Sequence, residues 1–317
     1  MGNMKSKLGN MVGKYKVETI IAALAVILSS LMAWRVYSLG LTRILVDQNS
    51  HLNIARQITD SMTPGITQLG FWVPLIHILM MPFVIIEPLY RTGLAGFFTL
   101  LPFLAIAAIF LYKTCLLITK NNKLSFWASI IFLLNPYVLY YAVTPMTEVL
   151  YIANLIATAY FIILWMQTKK LSYLLICGIF ISLASLSRFE GLILIPIVSL
   201  IVLIQLIRTY KDYYKVEATA LLFFIIAILG FAFILLYGYI FGKGNPFAFV
   251  NNELLGFHRQ GTYLLPAEGS IMVSFQYLLH AAYHMISKPF AIASLVCLPI
   301  LLLLIKPRLK TLSVAFI

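Results

Sequence analysis

What most constrains this chain is the recurrence of apolar runs close to the length that crosses a bilayer. Eight stretches, at about 18–39, 94–112, 125–142, 147–166, 172–187, 190–207, 217–240 and 289–305, approach the roughly 20 residues that a spanning helix needs. Within hydrocarbon every backbone N–H and C=O must be paired inside the segment, which selects helices for spans of this kind. With 62% of residues hydrophobic and only 10% charged, no water-soluble class fits. The expected fold class is all-α, a polytopic membrane protein of about eight transmembrane helices forming a single domain over residues 1–317. The first run is too long for a signal-peptide core and lacks a small-residue cleavage site, so it reads as a retained helix.

A ninth apolar stretch, 71–89, contains Pro74, Pro82, Glu87 and Pro88, and proline interrupts helix hydrogen bonding. The positive-inside bias decides its status. If it does not span, 15 of the 23 basic residues, from Lys5 to Lys310, share one side. If it spans, only the four at the N-terminus stay there and the other eleven cross over. The segment is therefore expected to be half-embedded at the outer surface. Residues 1–17 become a basic cytoplasmic N-terminus, 40–93 the first outer loop and 242–288 the last. The localisation that follows is multi-pass in the cell (plasma) membrane. The net charge of +13 traces mainly to short cytoplasmic loops facing anionic lipid, so no nucleic-acid partner is implied. Cys115, Cys177 and Cys297 have no CxxC spacing and read as small buried hydrophobes.

Lys and Arg alone set that topology, so the other polar residues are an independent readout. Seven of the ten carboxylates fall on the outer side: Asp47, Asp60, Glu87, Glu148, Glu190, Glu253 and Glu268. All five histidines, His51, His77, His258, His280 and His284, fall there too. An anchor has no reason to gather its acids and imidazoles on one face. The outer face is the expected working face.

In "LVDQNSHLNIARQITDSMTPG", Leu52, Ala55, Ile58 and Met62 recur at helical spacing and form an apolar stripe expected to lie on the membrane surface. Asn53, Arg56, Gln57 and Asp60 occupy the other face. Asp47 stands where a carboxylate caps free N–H groups, and Arg56 and Asp60 are spaced as an ion pair. In "NPYVLYYAVTPMTEVLY", Asn135-Pro136 loosens one helix and Glu148 opens the next at the membrane boundary, where acids are functional candidates. "SLSRFEG" offers two readings. Arg188 either pairs with Glu190 or presents its planar fork to a lipid phosphate. The last outer loop supplies Lys243, His258 and Arg259, and beyond it His280 and His284 lie one turn apart. That spacing is compatible with zinc but lacks the Glu of an HExxH motif.

These segments, in this order, resemble the GT-C glycosyltransferases. The first helix, Asp47 opening an outer helix with His51, Ala55 and Arg56, and the run "TPGITQLGFWVPLIHILMMPF" look like the family's first outer loop. "NPYVLYYAVTPMTE", "SRFEG" and "GNPFAF" follow as in bacterial and archaeal relatives of protein O-mannosyltransferase and aminoarabinose transferase. The resemblance covers roughly residues 18 to 260. It implies jaw-like amphipathic outer helices and an inverting transfer from a polyprenyl- or dolichyl-phosphate sugar to a hydroxyl of a lipid, glycan or protein acceptor. It also implies roles. Asp47 would be the catalytic base, and Glu148 a ligand for a divalent metal such as Mg, Mn or Zn. His51, Arg56, Arg188, Glu190, His258 and Arg259 would hold the donor. Two departures stand out: Gln48 follows Asp47 where many relatives carry a second acid, and Gln68 stands where some carry a carboxylate. Fewer oxygen ligands weaken the case for a tightly held divalent ion. The ending "TLSVAFI" reads as a helix cut short, so a truncated or minimal member is expected.

Two rival classes remain at the level of sequence. A lipid-linked-sugar flippase or transporter would place charges along a path through the membrane, whereas here they collect at one face. A non-catalytic assembly partner would explain the missing acids.

Overall fold

Among the described residues, the apolar runs fold as helices. The computed structural model describes residues 16–70, 72–248, 272–273 and 276, and the elements discussed here lie within Met1–Asn251. They are α1 (Lys16–Ser38), α2 (Val46–Thr59), α3 (Leu75–Val84), α4 (Glu87–Thr92), α5 (Ala95–Thr119), α6 (Asn122–Leu133) and α7 (Pro136–Val143). After them come α8 (Glu148–Thr168), α9 (Leu171–Ser187), α10 (Leu194–Thr209) and α11 (Tyr213–Phe241). Single 3-10 segments, Ile66–Leu69 and Phe189–Ile193, lead into Trp72 and α10. No strand occurs among the described residues.

Five segments are long and apolar enough to cross a membrane: α1, α5, α8, Phe189–Thr209 and α11. The stretch expected as one span at 125–142 is instead α6 and α7, bent by 60°. Pro136 has no N–H to continue the ladder. The Asn135 side chain accepts from the N–H groups of Tyr137 and Val138, capping a new helix. Counted as one broken span, the pair makes six. Among the described residues the expected count of about eight is not reached, for two reasons. Residues 289–305 lie outside the described residues, and α9 has only 17 residues.

Yet α9 runs antiparallel along α8. Asn154 donates to Ser187 at one end, and Trp165 packs with Leu174 at the other. At about 1.5 Å per residue it is near 26 Å long, slightly short of a typical hydrocarbon core. The described part of segment 71–89 holds no helix long enough to pass as a span. It breaks into the ten-residue α3 and the six-residue α4, a corner at Ile85-Ile86 between them.

The bundle has two chemically distinct ends. At the basic end, Lys113 approaches Glu18 at 3.9 Å, and the stretches 119–123, 168–171 and 209–215 carry six of the nine described lysines. At the acidic end, α2, α3 and α4 gather over the starts of α5 and α8 and the end of α9. Leu52 and Ala55 of α2 join Ile76, Met80 and Val84 of α3, with Leu100 and Leu150 beneath them, in one buried cluster. The apolar stripe of α2 therefore packs against protein, not against lipid as expected. Burying it there removes a Leu and an Ala from any solvent and fixes the height of the helix. Met62, assigned to the same stripe, lies beyond the end of the helix and is fully exposed.

Candidate functional site

The acidic end is built on how α2 starts. The capping position is Leu45, and the Gln48 side chain turns back to accept its N–H at 3.0 Å. Asp47 is thus not the cap; it sits exposed in the first turn. Gln48 also donates to the Tyr140 hydroxyl, which in turn donates to the Leu41 carbonyl. One buried amide therefore ties α2 to α7 and to the linker after α1. Asp47 makes no hydrogen bond or ion pair among the described residues.

One turn along the same face lies His51. Its Nδ1 is 2.9 Å from Nε2 of His77 on α3, and the residues are 2% and 0% exposed. Burial lowers His51 to about 4, helped by the nearby Arg188 charge. Burial lowers His77 to about 3, helped by repulsion from His51. Both rings are therefore neutral near pH 7, one donating and one accepting. The Val73 carbonyl opposes the fall for His77, though His77 Nδ1 completes no hydrogen bond. Trp72 closes the other side of His51 edge-on, with centroids 4.9 Å apart.

Arg188 ends α9 with every side of its guanidinium occupied. Nε and Nη2 donate to the two oxygens of Glu190 at 3.2 and 2.9 Å. Nη1 donates to Glu148 Oε1 at 2.8 Å and to the Thr147 hydroxyl at 3.0 Å. Of the two readings of "SRFEG", the geometry favours the ion pair and extends it to a second carboxylate across the helix hairpin. Gly191 makes this possible. A Cβ there would meet the Ala184 carbonyl at 2.4 Å, so only glycine lets the 3-10 segment fold back on α9 and bring Glu190 under Arg188. Glu148 keeps its other oxygen, Oε2, buried without a hydrogen bond.

Arg56 is likewise engaged. It donates to the Val84 carbonyl at 2.6 Å and pairs with Asp60 at 2.7 Å and Glu87 at 3.1 Å. It pins α2 to the α3–α4 corner, and Arg91 holds Glu87 from the other side. Hydrogen bonding to Arg91 lowers the Glu87 carboxyl, with Arg56 adding to the effect.

Behind Trp72 and Phe189 lies a cavity of about 210 Å³, walled also by Val73, Ile234 and Tyr237. The Tyr237 hydroxyl donates to the Ile66 carbonyl, holding the 3-10 segment over the end of α11. Phe189 follows Arg188 in the chain and Trp72 touches His51, so the cavity shares walls with both polar clusters. Its own surface is mainly aromatic and aliphatic, suited to a ligand with an apolar body.

His258, Arg259, His280 and His284 lie outside the described residues. Among the described residues, no group of three or more His, Cys, Asp or Glu side chains is placed to hold a metal. Glu148 Oε1 is bound to a guanidinium, and Gln68 donates to Thr63. Sequence reasoning placed His77 on the outer side without a role, and gave none to Gln48, Trp72, Tyr140 or Thr147. The signal for His77 was present: it is the one polar residue in "LIHILMMPFV". The chain matches no family model, no curated protein and no solved structure.

Proposed function

We propose that the chain is a glycosyltransferase that works at the acidic end of its helix bundle, taking sugar from a polyprenyl- or dolichyl-phosphate donor. The observation that carries this reading is the contrast among the acids described there. Asp60, Glu87, Glu148 and Glu190 are each ion-paired to arginine, whereas Asp47 is exposed and has no such partner. An unpaired carboxylate is free to take a proton.

In the proposed step, Asp47 removes the proton from an acceptor hydroxyl as that oxygen attacks the anomeric carbon. The bond from that carbon to the phosphate oxygen breaks, and the lipid phosphate leaves with the electron pair. One displacement inverts the sugar carbon. The neutral His51–His77 pair and the Arg188 cluster hold α2 and the start of α8 in register around this point, while the aromatic cavity offers an apolar wall for the donor. The acceptor class, lipid, glycan or protein, belongs to the proposal, as does the assignment of the acidic end to the outer face of the plasma membrane. No metal-dependent step is part of it.

A non-catalytic assembly partner is the second reading, favoured by the engagement of the Arg188 fork with carboxylates in place of phosphate. Purified full-length protein, given radiolabelled polyprenyl-phosphate sugars and a membrane extract as acceptor, distinguishes them. Transfer by the wild type that is lost in Asp47→Asn supports the enzyme. Donor binding with no sugar transfer supports the partner.

A further inference from the structure

Away from that site, at the basic end, an open groove of about 670 Å³ runs between α10 and α11. The two helices pack through Val202, Leu206, Val216 and Phe223. That packing leaves Leu203, Ile207 and Leu221 exposed along the groove walls. Both helices belong to segments long and apolar enough to cross a membrane, and in a bilayer such walls would meet lipid tails. Tyr213, 71% exposed, stands at the mouth at the level aromatic side chains favour in the headgroup layer.

The charges at this turn sort themselves. Asp212 accepts the Tyr214 N–H and caps α11. Lys215 rests its ammonium over the Tyr210 ring at 4.2 Å. Lys211 and Glu217 remain: both line the groove, both are exposed, and neither has a hydrogen bond or ion pair among the described residues. An acid on a lipid-facing helix is costly without a counter-charge. Side chains on a helix tilt toward its N-terminus, so Glu217 reaches back toward the turn and Lys211.

We propose that this groove binds a phosphatidylethanolamine-type lipid, its phosphate on Lys211, its ammonium on Glu217 and an acyl chain along Leu203, Ile207 and Leu221. The complementarity is specific. An anionic lipid such as phosphatidylglycerol satisfies Lys211 but brings no cation to Glu217. Phosphatidylcholine brings a cation, but its quaternary nitrogen has no N–H to donate, and a charged hydrogen bond is what the carboxylate gains. This assignment is independent of the proposed transferase activity.

The test is native mass spectrometry of the full chain released from mixed micelles holding equal amounts of the three lipids. The wild type should retain one phosphatidylethanolamine over phosphatidylglycerol by about tenfold, the scale of one charged hydrogen bond. Glu217→Gln should remove that preference, Lys211→Gln should lower retention of both lipids, and Leu203→Trp should displace lipid by filling the groove. Both charged side chains are exposed, so their variants should elute from size exclusion as the wild type does. Equal retention of the three lipids by the wild type, a preference for phosphatidylglycerol, or an unchanged preference in Glu217→Gln would each overturn the assignment.

Discussion

Nδ1 of His51 lies 2.9 Å from Nε2 of His77, a hydrogen bond between two buried imidazoles that joins α2 to α3 across 26 residues of sequence. Both rings titrate well below the usual histidine value. The sign follows directly: below about pH 6.5 the unfolded chain takes up protons that the folded pair refuses. Stability contributed by the pair is full above that pH and is lost progressively as the pH falls from there toward about 4 for His51 and about 3 for His77. Thermal unfolding of purified protein should therefore show a drop between pH 6.5 and 4 that is reduced in His51→Gln/His77→Gln. An identical pH profile in the double variant would refute the role of the pair.

Asp47→Asn removes basicity and keeps shape. Because Gln48, not Asp47, completes the start of α2, the variant should fold with unchanged stability. Turnover should fall by about 10²–10⁴-fold with donor binding retained, the range for loss of a general base. Normal turnover in folded protein would move the base elsewhere, with Glu148 next in line.

Arg188→Lys separates a structural tie from a phosphate grip. A single ammonium cannot reach Thr147, Glu148 and both oxygens of Glu190 together. The variant should lose about 1–3 kcal/mol of stability, the cost of leaving charged partners short of donors in a partly buried site. Donor affinity in the folded fraction should be little changed. Wild-type stability with a large loss of donor affinity would return Arg188 to the phosphate.

Gly191→Ala should destabilise by about 1–3 kcal/mol, because its Cβ meets backbone that cannot move aside cheaply. Since Glu190 precedes it, the variant should also weaken the Arg188–Glu190 pair, and a second substitution at Glu190 should then cost less than in the wild type. A double-mutant cycle measures this coupling; simple additivity would argue against it.

The orientation is tested by labelling. Gln57 and Lys123 are both exposed, at the acidic and basic ends respectively. Cysteine at Gln57 should react with a membrane-impermeant reagent in intact cells, and cysteine at Lys123 only after permeabilisation. The reverse pattern would invert the topology.

The sequence by itself determined the helical class, the two-ended distribution of charge and the break at Asn135-Pro136; α2 ends at Thr59, ahead of Thr63-Pro64-Gly65. These follow from local terms: the length of an apolar run, a missing proline N–H, the placement of each Lys or Arg. Segment 71–89 was expected not to span for the same reason, and its longest described helix, α3, has ten residues. Tertiary structure alone decided which apolar faces meet protein and which meet lipid. Leu52 and Ala55 look the same in sequence whether they cover acyl chains or α3, because both surroundings are apolar. It also decided partners. Arg188 had one acid in its own turn, and only the closure of the α8–α9 hairpin brought Glu148 to it from 40 residues away. His51 found His77, and Gln48 found Tyr140, by the same route. Asp47 is unpaired among the described residues, while the neighbouring Gln48, at the position where a capping-box side chain turns back, completes the start of α2. Hydrogen-bond choice depends on distances of a few tenths of an ångström, and those exist only once the helices have packed.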